Sequence, residues 1–298
     1  VAKTIFTPEQ DEMLKQLYPV MGTDVVVFLP FTRKHISTRA YGLGLRVCKE
    51  SKSKKAAIFA SRPRPDLCGV DSNLFTNIHS PEIAYLLGMI WADGYVDKKS
   101  FRIMLSISEN DANQIESVVS RTGKWSIRTW QPPGKRKPQK SFTISNKVIH
   151  HFLSENDYQS KSVSSACKIL NCIPEQLQHY FWRGYFDGDG CISNRLRHGG
   201  HSSQMSLSGS FNQDWTFVSK LFATLNIEMK IQKQEAKHRY SRVVVYNMND
   251  INTFFEYIYP EKKYDGIGLE RKYGKWIEML HNSSQSRYST IKALSQLG

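Results

Sequence analysis

The chain has 298 residues, 40% of them hydrophobic and 12% aromatic, which is enough apolar material for packed cores and excludes wholesale disorder. Its 41 Lys and Arg against 27 Asp and Glu leave a formal net charge of +14, which points to a polyanion as partner. The longest apolar stretch, Ile83 to Ala92, falls far short of the ~20 residues of a membrane-spanning helix, so no membrane partner is expected. The polar start lacks the apolar core of a secretory signal, so an intracellular protein, cytoplasmic or in the nucleoid, with an organellar matrix as the variant, is the expectation. Five cysteines at scattered spacings suit a reducing compartment and offer no zinc-site pairing.

The first element expected in chain order is a helix after Thr7-Pro8-Glu9-Gln10, which supplies an N-cap, a first-turn proline and a capping-box glutamine. Met13, Leu14 and Leu17 mark its buried face. A short second helix is expected over Thr23 to Leu29, ended by Pro30. A third starts at Thr32 with Ile36, Ala40 and Leu43 inward, leaving Arg33, Lys34 and Arg39 outward. Three short helices ending in a basic one resemble a helix-turn-helix or Myb-like module, so residues 1–48 are read as a small all-α DNA-binding domain. Residues 49–79, with SKSKK and SRPRP, are read as a basic linker that tracks phosphates.

Charge is concentrated in two blocks. Phe31 to Pro65 holds ten bases and one acid, Glu50, and Arg121 to Lys147 holds eight bases and no acid. The second block contains Gln131-Pro132-Pro133-Gly134 and cannot form one amphipathic helix, which favours nucleic acid over a membrane surface.

From Ser80 onward the pattern repeats itself: helix, two strands, helix, two strands, helix, once over 80–170 and again over 171–298, where a C-terminal helix is added. In RIMLSIS, alternation puts Ile103, Leu105 and Ile107 on the packed face and Arg102, Ser106 and Ser108 on the free one. In QMSLSGS it sets Met205, Leu207 and Gly209 against Gln204, Ser206 and Ser208. A polar sheet face beside a basic loop suits base readout, with Arg128 and Lys233 added from the outer strands.

Each repeat opens with a similar nonapeptide, Leu86-Leu87-Gly88-Met89-Ile90-Trp91-Ala92-Asp93-Gly94 and Trp182-Arg183-Gly184-Tyr185-Phe186-Asp187-Gly188-Asp189-Gly190. Gly88 with Ala92, and Gly184 with Gly188, put small residues on one helix face and let two helix backbones come close. Gly94 and Gly190 suit a left-handed turn at the helix end. Packing through those faces would set Asp93 and Asp189 side by side, which is costly without a cation between them. Hard oxygen donors favour Mg²⁺ or Mn²⁺, and metal-assisted phosphodiester hydrolysis follows. Asp187-Gly188-Asp189-Gly190 is no EF-hand, since one counted from Asp187 needs Gly at Ile192 and Glu at His198.

On these two nonapeptides the chain resembles a LAGLIDADG homing endonuclease of the single-chain, two-motif type, over about Ser80 to Leu280. The resemblance implies an α+β fold in which a pseudo-twofold pair of αββαββα units forms a DNA-binding saddle. It also implies a monomer that makes a metal-dependent double-strand break in a long, non-palindromic duplex DNA target, with Asp93 and Asp189 as metal ligands. The family's basic residue near each active site matches Lys161 and Lys272. Trp91, where the family often has a first acid, and Trp182-Arg183, where the second motif usually opens on small or aliphatic residues, depart from the pattern. The alternative from another class is a non-catalytic transcription regulator, or an RNA maturase with intron RNA as partner, on the same scaffold.

Overall fold

The computed structural model describes residues 6–48, 50, 69–97, 100–131, 137–197, 200–235 and 239–294. The chain divides into two units, Val1–Pro65 and Asp66–Gly298. In the first, α1 (Pro8–Met21) has the expected capping box, with Gln10 N–H donating to Thr7 Oγ1 and Thr7 N–H to Gln10 Oε1. A 3₁₀ helix over Gly22–Val27 stands where a second α-helix was expected, and α2 (Arg33–Gly42) follows, capped by Thr32. Leu14, Val25, Leu29, Ile36 and Ala40 form the small core, while Met13, expected inward, is exposed.

The second unit realises the repeat. The first copy runs α3 (Pro81–Asp93), β1 (Tyr95–Val96), β2 (Arg102–Ser108), α4 (Glu109–Ser120), β3 (Ser126–Trp130), β4 (Gln139–Ser145) and α5 (Lys147–Glu155). A short α6 (Cys167–Cys172) leads to the second copy, α7 (Glu175–Asp189), β5 (Gly190–Arg197), β6 (Gly200–Ser210), α8 (Thr216–Thr224), β7 (Lys230–Gln234), β8 (Tyr240–Val245) and α9 (Met248–Ile258). The chain closes with α10 (Glu270–Leu294). Among the described residues the two sheets are antiparallel, with matching orders β1-β2-β4-β3 and β5-β6-β8-β7. No described helix is long and apolar enough to cross a membrane.

Residues 69–79, expected at the end of the linker, belong to this unit instead. Val70, Leu74, Phe75 and Ile78 are buried in its core, and Gly69 bridges to Lys124. The basic residues of 51–68 hid this apolar run in the sequence, and they lie outside the described residues.

The helices α3 and α7 pack through their small residues at the centre of one continuous core. A Cβ on Gly88 would overlap the Phe181 carbonyl oxygen, and one on Gly184 the Tyr85 carbonyl oxygen, so only glycine permits this approach. Gly94 and Gly190 are glycine for a different reason from the one expected. Both have extended backbones (φ −72° and −86°), not left-handed ones. A Cβ on Gly94 would sit 2.6 Å from Ile90 Cα, and one on Gly190 would overlap the Phe186 ring.

Candidate active site

Because Gly88 and Gly184 bring the helix axes together, the last residues of α3 and α7, Asp93 and Asp189, end in the same region. Asp189 feels the negative charge of Asp93, and both lie within electrostatic reach of Lys161 and Lys272. Burial, reinforced by repulsion from Asp93, pushes Asp189 up to about 7 against the pull of the two lysines. Burial also raises Asp93. Carboxylates that resist ionisation when buried together are a site made for positive charge.

The two lysines are placed alike. Lys161, in the turn after α5, donates through Nζ to the Ile90 and Ala92 carbonyls at 3.0 and 2.6 Å, at the end of α3. Lys272, in the first turn of α10, donates to the Phe186, Asp187 and Gly190 carbonyls, each at 2.7 Å, at the end of α7. Each ammonium therefore adds hydrogen bonds to carbonyls at the end of its motif helix, of which Ile90 and Phe186 also accept the Gly94 and Gly190 N–H, and it complements the negative helix end. Burial pulls Lys161 down to about 8 and lowers Lys272 as well.

Two cavities result. One, of about 290 Å³, is lined by Asp189, Lys161, Trp91, Tyr185, Ser208 and Ser210 among others. The other, of about 310 Å³, is lined by Asp93, Lys272, Asp187, Asp111, Arg271, Ser106 and Ser108 among others. In each, an aspartate of one repeat shares the space with a lysine of the other. Among the described residues, no cluster of three or more His, Cys, Asp or Glu could hold a metal by itself. A pair of carboxylates still fits Mg²⁺, which typically takes one or two protein carboxylates and fills its octahedron with water and substrate phosphate.

The expected DNA-facing residues separate on inspection. Arg128 shares a register row with Ser141 and Ser106, on the free face of the first sheet. Arg102 is exposed and paired with Asp97 at 3.4 Å, and Ser108 donates to Asp111 at 3.3 Å. In the second sheet Ser208 lies in the row of Arg242 and Gln232, and Gln204 is half-buried, but Ser206 is only 7% exposed. Lys233 is a correction: its row is Ser241 and Gly209, the opposite face from Ser208, and its ammonium lies 5.1 Å from the Phe211 ring. Arg242 is a basic residue on the free face, with Nε donating to Gln232 Oε1 at 2.9 Å. Strand alternation alone could have found it, had the register of β8 on β6 been known. In the N-terminal unit Arg39 is half-buried against Phe6 and donates through Nε and Nη2 to Asp11, where the sequence placed it simply outward. Arg33 pairs with Asp24 at 3.2 Å, and the exposed face of α2 carries Arg33, Lys34, Ser37, Thr38 and Tyr41.

Sequence reasoning also missed a buried polar group behind the site. Arg183, fully buried, lies over the Tyr180 and Tyr259 rings at 4.6 and 4.3 Å. It donates to the Ile258 and Ile267 carbonyls at 2.8 and 3.0 Å and to Asp265 at 2.7 Å. Burial pushes Asp187 up to about 6 although Oδ2 accepts hydrogen bonds from Tyr85 and the Leu269 N–H. The sequence signal for either was a charged residue within or just after the apolar run Phe181 to Phe186.

The fold and site thus define a single chain with two αββαββα copies whose central helices each deliver one acid. Residues 176–259, within the second repeat, match the family model described as a LAGLIDADG-like domain. No curated protein matches the chain in sequence. Solved structures that resemble it include the meganuclease I-SmaMI bound to uncleavable DNA, at 15% identity and a TM-score of 0.48, covering 73% of this chain and 95% of that one. I-SmaMI bound to an uncleaved DNA target in the presence of calcium ions gives 16% and 0.47, with 73% and 96% covered. Full-length DUF199/WhiA from Thermatoga maritima gives 18% and 0.44, with 75% and 71% covered.

Proposed function

We propose that the protein is a site-specific DNA endonuclease of the homing type, which makes a divalent-metal-dependent double-strand break in a long, non-palindromic duplex. The observation that carries this reading is that Asp93 lines one cavity with Lys272 and Asp189 another with Lys161, at the ends of the packed motif helices. Two such sites are what two strands require. The LAGLIDADG-like domain over 176–259 supports the same class.

In this reading Asp93 and Asp189 hold Mg²⁺ or Mn²⁺, together with phosphate oxygens of the substrate. When bound, the metal supplies Lewis-acid stabilisation of the charge that builds at phosphorus. The chain's own part is to hold the two carboxylates in place through Gly88 and Gly184, and to keep an ammonium beside each. Lys161, titrating near 8, exchanges a proton at Nζ close to neutral pH. The rims of both cavities carry sheet serines, Ser106 and Ser108 in one and Ser208 and Ser210 in the other, so a duplex on the sheets would reach the acids directly. Unequal sheet surfaces favour an asymmetric target. The N-terminal unit, through Lys34 and its neighbours on α2, adds DNA contacts beyond the sheets.

The test is cleavage of a randomised duplex library with Mg²⁺ and with EDTA, by the full chain and by a form lacking residues 1–65. Discrete Mg²⁺-dependent ends are expected from both, with weaker binding by the truncated form. Tight specific binding without ends in any metal would replace the endonuclease by a DNA-binding regulator, and preference for structured intron RNA would point to a maturase.

A further inference from the structure

The two motif helices carry a pair of corresponding positions that have diverged. Tyr85 and Asp187 meet across the helix interface, where the Tyr85 hydroxyl donates to Asp187 Oδ2 at 2.8 Å. Their counterparts in the other copy, 96 residues on or back, are Phe181 and Trp91, which cannot form that bond. One half of the molecule therefore has a buried tyrosine–carboxylate pair where the other has two apolar rings.

The same Oδ2 accepts the Leu269 N–H at 2.8 Å. Leu269 immediately precedes α10, and its carbonyl accepts the Lys272 N–H at 2.9 Å, so Lys272 sits one turn from the contact. The chain reverses just before this point at Gly268, with φ +112°, and a Cβ there would lie 2.8 Å from Asp187 Oδ2. The carboxylate is thus wedged against the backbone that starts α10. The main chain of Asp187 holds the other end of the lysine, because its carbonyl is one of the three that receive Lys272 Nζ. Lys161 is mounted differently: its turn is anchored by the Tyr158 hydroxyl donating to the Leu87 carbonyl at 2.9 Å, a main-chain contact with no acid.

We propose that Asp187 is a positioning residue that fixes the start of α10 through Tyr85 and Leu269 and so places Lys272, making the two cleavage sites unequal. The strand served by the Asp93 and Lys272 cavity depends on this latch, and the strand served by Asp189 and Lys161 does not. The inference rests on the endonuclease reading for its strand assignment, while the placement of Lys272 is independent of it.

Three variants of the full chain separate the possibilities. Asp187→Leu removes the acceptor with a side chain branched at the same atom, Tyr85→Phe removes one donor, and Asp187→Asn retains an acceptor oxygen and serves as the rescue. The first readout is the rate of reductive methylation of each lysine in metal-free protein, resolved by mass spectrometry. Lys272 is expected to react about tenfold faster in Asp187→Leu, with a smaller gain in Tyr85→Phe, while Lys161 is unchanged. The second is cleavage scored on each strand separately, where one strand is expected to slow by roughly 10- to 100-fold and the other to stay at the wild-type rate. Asp187→Asn is expected to stay near wild type in both. Equal changes at the two lysines, or equal slowing of both strands, would overturn the latch, as would an Asp187→Asn variant as impaired as Asp187→Leu. A wild-type protein that cuts neither strand would sink the endonuclease reading, and the methylation rates would still decide the latch.

Discussion

The two central helices agree where the backbone and the chemistry demand it and differ almost everywhere else. Gly88 and Gly184, Ala92 and Gly188, and Asp93 and Asp189 keep the interface close and the acids in place. Between them Tyr85 faces Phe181 in the alignment, Leu87 faces Arg183 and Trp91 faces Asp187. The apolar copy is locked by ring packing, with Trp91 against Tyr158 and Phe217 at 5.0 and 6.2 Å. The polar copy is locked by hydrogen bonds from Tyr85 and Leu269 to Asp187, and from Arg183 to the chain around Ile258 to Ile267. Two solutions to burial thus support one pair of acids: close approach and charge position are constrained in both helices, and the packing behind them is not.

The comparison breaks most sharply at the acids. If Asp93 and Asp189 form one electrostatic unit, Asp93→Asn and Asp189→Asn should each reduce cutting of both strands by roughly 1000-fold, about 4 kcal/mol of transition-state stabilisation. Loss of only one strand in either variant would show two independent sites. Next in size is the helix interface, where Gly88→Ala or Gly184→Ala forces a methyl into a facing carbonyl and should cost about 3 kcal/mol or more in urea unfolding. Gly274→Ala, in α10 with open space around it, is the control and should be neutral or gain up to about 1 kcal/mol. Equal losses at all three positions would mean that close approach is not what the motif glycines provide.

The lysines sharpen the difference between the halves. Lys272→Met removes three hydrogen bonds to main-chain carbonyls and Lys161→Met two, so both should destabilise the fold, within about 1–3 kcal/mol, and Lys272→Met by more. Equal midpoints in denaturant would make the two mounts equivalent. The gentlest test is pH. Asp187 and Asp189 ionise at about 6 and about 7 in the fold against 3.8 for the ordinary carboxylate, so their contribution to stability is complete below 3.8 and is lost as pH rises through 7. Lys161, at about 8 against 10.5, works the other way and recovers stability above 8. Calorimetry in EDTA should therefore find a decline in Tm from pH 4 to 7, shallower in Asp189→Asn and relieved by Mg²⁺. A flat wild-type profile would show that the carboxylates are better solvated than their burial implies.

Much of this was legible in the amino-acid order because it depends on short-range periodicity. The capping box at Thr7, the alternation in RIMLSIS and the small residues four apart at Gly88 and Gly184 each act within a turn or a strand, and the repeat supplied the rest of the element order. Asp93 and Asp189 followed because helix geometry carries the small face and the terminal acid together. Register, closure and burial were not legible. The face of Lys233 turned on how β7 and β8 pair, and the fate of Arg39 on an aspartate 28 residues away. The end of the linker was settled by the burial of Val70 and Phe75, and the reason for Gly94 by its fit against Ile90 rather than by its own φ. Lys161 and Lys272 were matched by resemblance, but only the fold carries each of them to a helix end, 71 and 86 residues away, and sets it across from the other repeat's acid. Asp187 shows the limit most clearly. Its partners, Tyr85 and Leu269, lie 102 and 82 residues away in opposite directions along the chain, and a buried carboxylate gains a role only when distant donors converge on it.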